Sequence, residues 1–99
     1  MCAIFGMIGR TDHDLLRKVS KIQIYRGPDS QGFFESDDKK VLLGNNRLAV
    51  IDKENGNQPI ESADGRYVVV FNGCIYNFLE IKKYLLKKEI TFKTNSDTE

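Results

Sequence analysis

Apolar residues begin the chain as one short run and then recur at helical spacing. Residues 2–8 are almost wholly apolar and end at Gly9, which predicts a buried strand. Residues 11–14, Thr-Asp-His-Asp, have the form of a capping box, so we expect a helix behind them. Its apolar positions share one face: Leu15, Leu16, Val19 and Ile22. The stretch Arg-Gly-Pro-Asp at 26–29 should end this helix, because its glycine suits the left-handed position and its proline cannot continue a helix.

Polar turns divide the middle of the chain into short strands. Residues 32–36 and 40–44 predict a pair of strands around a turn at Asp37 and Asp38. Two further turn signals follow: Asn55 with Gly56, and Asp64 with Gly65. Residues 67–71, Tyr-Val-Val-Val-Phe, are β-branched and aromatic without alternation, which predicts a strand covered on both faces.

The last third of the chain predicts a second helix from about Asn77. Asn77 and Glu80 resemble a capping box, and Tyr76 could pack on Ile81 as a hydrophobic staple. Lysines crowd the end of this helix, where the helix dipole favours cations, and we expect them to form a solvated face: Lys82, Lys83, Lys87 and Lys88.

Two short segments close the chain. Residues 90–93 read as one more strand, and residues 96–99, Ser-Asp-Thr-Glu, have the form of another helix start. Because nothing follows that start signal, we expect a piece of a longer protein. The order of strands and helices predicts an α+β fold.

Composition excludes several classes of function. Ninety-nine residues make one domain at most, and 15 basic against 14 acidic residues give no excess positive charge for nucleic acid. No apolar run is long enough to span a bilayer, and no secretory leader is visible, so the expected compartment is the cytoplasm. Two cysteines and one histidine are too few for a disulfide framework or a four-ligand zinc site.

Cys2 raises a question of chemistry. It could be a small hydrophobe in a buried strand, but removal of Met1 would give it both a thiol and a free α-amine. A thiol nucleophile needs a base. The only histidine, His13, falls in the first turn of a predicted helix, where a solvated role is expected. An α-amine, with a pKa of about 7.7–8.0, is the base that is left.

Three other features could serve acyl transfer, each with a plainer alternative. Asn72 and Gly73 offer an amide and a backbone N–H to an oxyanion, but Asn-Gly is also a hairpin turn signal. Arg47 could bind a carboxylate or be an ordinary surface arginine. Asp97, taken alone, is expected to be a helix cap.

A family resemblance connects these features. The stretches that carry it are, in order, MCAIFG, YRGPDSQG, NNRLAVID, NQPI, DGRYVVVFNGCIYNF and TNSDTE. Together they resemble, over essentially the whole chain, the N-terminal glutaminase domain of glutamine-dependent asparagine synthetases. That domain is a class II glutamine amidotransferase of the N-terminal-nucleophile hydrolase group. Glucosamine-6-phosphate synthases are relatives, but they usually carry tyrosine where Pro28 stands.

The resemblance assigns roles to eight residues of this chain. It implies that Cys2 attacks the side-chain amide of glutamine and that Asn72 and Gly73 hold the oxyanion. It implies that the remaining positions bind the substrate: Arg47 its α-carboxylate, Asp97 its α-ammonium, and Leu48, Val50 and Cys74 the pocket around it. The family usually has glutamate where Cys74 stands, so we expect weaker glutamine binding here. It usually has glycine where Ala3 stands, and the added methyl could be absorbed or could crowd the site.

The resemblance also implies a larger architecture. The expected fold is the four-layer αββα sandwich, of which residues 1–99 would be the N-terminal part of a type-2 amidotransferase domain. No cofactor or metal is expected in this stretch; ATP and Mg²⁺ belong to the synthetase domain, absent here, which receives ammonia. The expected partners are L-glutamine and that synthetase domain or chain, without nucleic acid or membrane, and a homodimer stays open.

Three other hypotheses remain at this point. The chain could be a truncated remnant without activity, or an interaction module, because half a sandwich leaves sheet edges and apolar faces open. It could be the amidotransferase domain of a related enzyme such as glucosamine-6-phosphate synthase. A redox thiol protein fits less well, because Cys2 and Cys74 do not form a C-x-x-C pair.

Overall fold

The computed structural model describes residues 2–99, and the expected removal of Met1 lies outside them. Two sheets and two helices make an α+β fold, as the sequence predicts. In chain order the elements are β1 Ala3–Ile8, α1 His13–Ile22, a single 3₁₀ turn Ile24–Arg26, β2 Ser30–Glu35, β3 Val41–Arg47, β4 Ile60–Glu61, β5 Val68–Val69 and α2 Phe78–Leu86. No helix within residues 2–99 combines the length and hydropathy needed to cross a membrane.

The first sheet is antiparallel with strand order β1-β3-β2, so β3 is paired on both sides. The predicted strand over residues 2–8 and the predicted hairpin around Asp37 and Asp38 are confirmed. The expected burial of the first strand is wrong, because Ile4 and Ile8 are 44% and 86% exposed on the face that α1 does not cover. Register places Ala3 and Gln31 opposite Asn46. Since side chains alternate between faces, Asn46 shares one face with Ala3, while Arg47 lies on the other.

Helix α1 covers the Asn46 face of this sheet and forms the core with it. Leu16 and Leu42 are 3% and 2% exposed. The buried Ser20 hydroxyl donates to Asn46 Oδ1 at 2.7 Å, and Asn46 Nδ2 donates to the Ser20 carbonyl at 2.7 Å. Two buried polar groups are thereby satisfied by each other, which fixes the helix against the central strand.

Both ends of α1 differ from their predicted chemistry. The cap is Asp12, whose carboxylate accepts from Leu15 N–H at 2.9 Å, whereas the Thr11 hydroxyl donates to the Lys39 carbonyl. The helix ends at Ile22, and Gly27 follows the 3₁₀ turn with φ −151°, which is not left-handed. Gly27 is required for another reason, because a Cβ there would overlap the backbone of Asn46.

The second sheet is smaller than the pattern at 67–71 predicts. Only Val68–Val69 forms a strand, and it pairs with Ile60–Glu61 alone. Tyr67 is 66% and Val69 39% exposed, so the prediction of a strand covered on both faces is wrong for the described chain. The physical reason is that β5 has one strand neighbour within residues 2–99 and no layer over its outer face.

Helix α2 is where the sequence places it, but its predicted caps do not form. Asn77 makes no side-chain capping bond, because its φ of −98° and ψ of 22° depart from the extended conformation that directs a cap side chain inward. Tyr76 is 94% exposed, so the staple onto Ile81 is absent. Within the lysine-rich face Lys82 departs from the prediction, because its ammonium donates to the Thr94 carbonyl at 2.8 Å.

The predicted strand at 90–93 is also wrong, and the capping box predicted at 96–99 does not form. Residues 90–93 are irregular, and residues 97–98 form a turn. The Glu99 carboxylate accepts from the backbone N–H groups of Lys93 and Thr94 at 2.8 and 2.7 Å, instead of from Ser96 as a capping box requires. The last residues therefore fold back onto the preceding loop.

Replacing Asn46 by alanine should lower the free energy of unfolding of the full-length chain by about 1–3 kcal/mol. The change removes two hydrogen bonds and leaves the buried Ser20 hydroxyl without its acceptor. Chemical denaturation measures the loss. The matched control is Asn77→Ala, expected to change stability by less than about 0.5 kcal/mol, because Asn77 is exposed and makes no capping bond. Equal effects of the two substitutions would contradict the assignment.

Candidate active site

One cavity of about 390 Å³ lies at the end of the first sheet, where β1 begins and β3 ends. It is lined by all eight residues to which the resemblance gives a role: Cys2, Arg47, Leu48, Val50, Asn72, Gly73, Cys74 and Asp97. The structure thus brings together residues separated by up to 95 positions in the chain (Cys2 to Asp97). Their individual roles stay predictions.

The Cys2 thiol sits against the backbone that follows β3. Its sulfur accepts from Leu48 N–H at 3.4 Å and its S–H donates to the Leu48 carbonyl at 3.8 Å. That backbone is held in turn by Asp29, whose carboxylate accepts from Ala49 N–H at 2.8 Å and whose N–H donates to the Arg47 carbonyl at 3.0 Å. The Arg-Gly-Pro-Asp stretch therefore positions the wall of the cavity as well as ending a helical segment.

Arg47 is buried, which contradicts the alternative of an ordinary surface arginine. Only 4% of its surface is exposed. Its guanidinium donates to four acceptors in the following loop: the carbonyls of Ile51 and Asp52, both at 2.7 Å, the carbonyl of Lys53 at 3.1 Å and Asn57 Oδ1 at 3.3 Å. A ligand carboxylate would meet a positive charge already fixed in orientation by these bonds.

Asp52 connects this loop to the end of the chain. Its Oδ2 accepts from Asn95 N–H at 2.7 Å and its Oδ1 from Asn55 N–H at 3.2 Å. The bond from Asn95 is the main cause that holds the pKa of the Asp52 carboxyl below its usual value, with smaller contributions from Asn55 and the Arg47 charge, against the opposing effect of burial. The carboxylate form of Asp52 thus favours the observed position of residues 95–98.

Asn72 and Gly73 lie on a loop between β5 and α2. No strand follows them before α2 begins at Phe78, so the hairpin alternative is wrong. Gly73 lies against the ring of Phe71, two residues earlier, since a Cβ on Gly73 would come within 2.7 Å of that ring. The Asp97 carboxylate accepts from Ile75 N–H at 2.9 Å, which ties this loop to the opposite wall. Asp97 is therefore a cross-link of the cavity and not the cap of a helix.

His13 lies away from the cavity. Its Nε2 is 2.6 Å from the Glu35 carboxylate on β2, so it is paired where the sequence predicts a simply solvated side chain. The cavity lining does not include it. No group of three or more His, Cys, Asp or Glu side chains in residues 2–99 is arranged to hold a metal ion.

Comparison with known proteins decides the family. A model of the glutamine amidotransferase domain matches residues 1–99. The chain belongs to the glutamine amidotransferase domain family. It is 39% identical to "Asparagine synthetase [glutamine-hydrolyzing] 1" of Bacillus subtilis and 38% identical to the Arabidopsis thaliana protein of the same description, in both cases over 100% of this chain. An asparagine synthetase of Zea mays is 36% identical, again over 100% of this chain.

The amidotransferase chain spans only a small part of these relatives. It covers 16% of the Bacillus subtilis protein and 17% of the Arabidopsis thaliana and Zea mays proteins. Each relative therefore contains several times more sequence than is present here. The similarity identifies the domain and leaves the activity of the whole protein to be proposed.

The resemblance assigns no role in the site to six further residues that line the amidotransferase cavity: Ile51, Gln58, Phe71, Tyr76, Ser96 and Thr98. Gln58 is the most informative of these, because it is polar and only 8% exposed. The available signal was its place in the NQPI stretch, which contributed to the resemblance without a role of its own.

Acidification should release Asn95 from Asp52. Because the folded pKa of Asp52 lies below 3.8, the bond contributes stability above the unfolded pKa and is lost as pH falls through the folded value. NMR of the full-length chain with isotope-labelled asparagine would follow the Asn95 N–H signal during acid titration. We expect a midpoint below 3.8 and no such step in Asp52→Asn. A midpoint above that value would contradict the assignment.

Proposed function

We propose that this domain hydrolyses L-glutamine to glutamate and ammonia, with Cys2 as the N-terminal nucleophile after removal of Met1. The observation that supports it most directly is a single cavity, in a glutamine amidotransferase domain, that contains the Cys2 thiol, Asn72 and Gly73 but not the histidine. A thiol nucleophile in such a site needs a base, and among residues 2–99 no histidine side chain lines this cavity to provide one. The α-amine of Cys2 itself meets that need.

The proposed reaction has two steps. The thiol proton passes to the α-amine as the sulfur attacks the side-chain amide carbon of glutamine. The oxyanion that forms accepts hydrogen bonds from the Asn72 amide and the Gly73 N–H. Collapse breaks the C–N bond, and the α-ammonium returns its proton so that ammonia leaves. Water then attacks the thioester with the α-amine as base, releasing glutamate and the free thiol.

Charge complementarity supports an amino-acid substrate. The cavity places the Arg47 guanidinium and the Asp97 carboxylate around one space of about 390 Å³, within the range of small-molecule sites. We assign the substrate α-carboxylate to Arg47 and its α-ammonium to Asp97. The apolar side chains of Leu48 and Val50 would contact the methylene carbons between the charged end and the reactive amide.

The four-layer αββα sandwich is part of this proposal. Helix α1, the first sheet, the β4–β5 pair and α2 would each belong to one layer, with further strands supplied by sequence outside this chain. Ammonia would pass to a synthetase domain, where ATP and Mg²⁺ activate aspartate. We place that chemistry outside residues 2–99, as the resemblance implies.

Replacing Cys2 by alanine should reduce ammonia release from glutamine to background in the full-length protein, because it removes the nucleophile. A coupled glutamate assay measures the rate, and mass spectrometry of the wild type shows whether Met1 is removed. His13→Ala is the matched control and should keep activity, since His13 pairs with Glu35 away from the cavity. The mechanism would be contradicted if Cys2→Ala still hydrolysed glutamine, or if the wild type were active with Met1 retained.

Replacing Cys74 by glutamate should lower the KM for glutamine by about two- to fivefold, because a second carboxylate would face the substrate ammonium across a solvent-exposed wall. Cys74→Gln is the matched control, since it adds the same length without charge, and it should leave KM near the wild-type value or above it. Steady-state kinetics at two salt concentrations would separate the charge effect from the change of size. Equal KM values for the two variants would contradict this role of Cys74.

A further inference from the structure

Gln58 joins the two loops on which the proposed chemistry depends. Its side chain lies beneath the cavity and contacts the residue before Asn72 on one side and the residue after Asp97 on the other. We propose that Gln58 is a positioning residue, which holds the oxyanion donors in a fixed relation to the segment that binds the substrate ammonium. The inference rests on the proposed function and adds to it a residue whose side-chain hydrogen bonds go to the walls of the cavity.

The hydrogen bonds of Gln58 are specific to an amide. Its Oε1 accepts from Phe71 N–H at 2.6 Å, and its Nε2 donates to Thr98 Oγ1 at 3.2 Å. Only 8% of the residue is exposed, so water competes little for either bond. An amide is the side chain that presents both an acceptor and a donor at one end, and this site uses each of them.

The backbone at Gln58 is anchored to the first sheet, which gives the side chain a rigid base. A Cβ on Gly32 would overlap the Gln58 carbonyl, so the two backbones are in close contact. The preceding residue, Asn57, accepts from Arg47 Nη1 at 3.3 Å and from the Ser30 hydroxyl at 3.2 Å. Gln58 therefore transmits the position of the sheet that carries Arg47 to the loops above it.

The loop of Asn72 and Gly73 has two such ties to the rest of the domain. One is Phe71 N–H to Gln58, and the other is Ile75 N–H to Asp97. Loss of the first would leave the oxyanion donors held from one end. Oxyanion donors act only when they are within hydrogen-bond distance of the developing charge, and a displacement of about 1 Å costs roughly 100-fold in rate.

The decisive variant is Gln58→Met, which keeps the length of the side chain and removes both hydrogen bonds. In the full-length protein we expect kcat for glutamine hydrolysis to fall by about 10- to 100-fold. Thr98→Val removes only the second bond and should chiefly raise KM, because it loosens the side of Asp97. Gln31→Met is the matched control at an exposed position of β2 and should behave as the wild type.

Two further measurements separate positioning from general damage. In Gln58→Met, amide hydrogen exchange of residues 71–73 should speed up, while alkylation of Cys2 by iodoacetamide should keep its wild-type rate. Gln58→Glu retains an acceptor for Phe71 N–H, so it should recover part of the kcat lost in Gln58→Met. If the methionine variant does not fold, the glutamate and valine variants still test the two bonds separately.

The outcomes distinguish this inference from the function on which it rests. A wild type that hydrolyses glutamine, with Gln58→Met as active as Gln31→Met, overturns the inference and leaves the function standing. Equal losses in Gln58→Glu and Gln58→Met, together with slower alkylation of Cys2, also overturn it, because they indicate a purely structural role. A wild type without glutaminase activity overturns the proposed function and this inference with it.

Discussion

A buried guanidinium is the constraint on which the cavity depends. Arg47 is 4% exposed at the end of the central strand, and an arginine cannot lose water there unless other acceptors replace it. The chain supplies them by wrapping residues 51–57 around the guanidinium, with carbonyls at 2.7 Å. Gly56 permits this wrapping, because a Cβ there would lie 2.6 Å from Arg47 Nη2. The hydrogen bonds of the Arg47 guanidinium thus fix the shape of the irregular loop 51–57.

That fixed loop organises the rest of the site. The carbonyl of Asp52 accepts from Arg47 while its carboxylate accepts from Asn95, so the charge on β3 is linked through one residue to the end of the chain. The end of the chain then supplies Asp97 and Thr98, which hold the Ile75 N–H and the Gln58 amide. The walls of the cavity are loops, yet each is tied by hydrogen bonds to a sheet whose central strand is paired on both sides. Such ties limit how far the walls can move during binding.

The sequence predicts well the positions of those strands and helices that depend on a local pattern of apolar residues. The apolar run of β1 and the apolar spacing of α1 place both elements correctly. Burial agrees less well, because Leu16 is buried but Leu15 and Ile22 of the predicted apolar face are 48% and 73% exposed. The predictions that depend on tertiary partners are the ones that are wrong. Glu99 satisfies the N–H groups of Lys93 and Thr94 instead of capping a helix, and residues 67–71 lack the covering layer that their composition suits. Likewise, the burial of Arg47 and the bridge made by Gln58 involve hydrogen-bond partners that sequence spacing does not reveal.

The first sheet separates the only histidine of the sequence from the Cys2 thiol. Glu35 pairs with Leu42 on β3, which places it on the face covered by α1, and His13 follows it there. Cys2 precedes Ala3, whose partner Asn46 is on that same face, so alternation directs Cys2 to the opposite side, toward Leu48. The imidazole and the sulfur therefore lie on opposite faces of the first sheet and near opposite ends of β3. If Cys2 is the nucleophile and Met1 is removed, as we propose, the α-amine of Cys2 is a base on the same side of the sheet as its thiol.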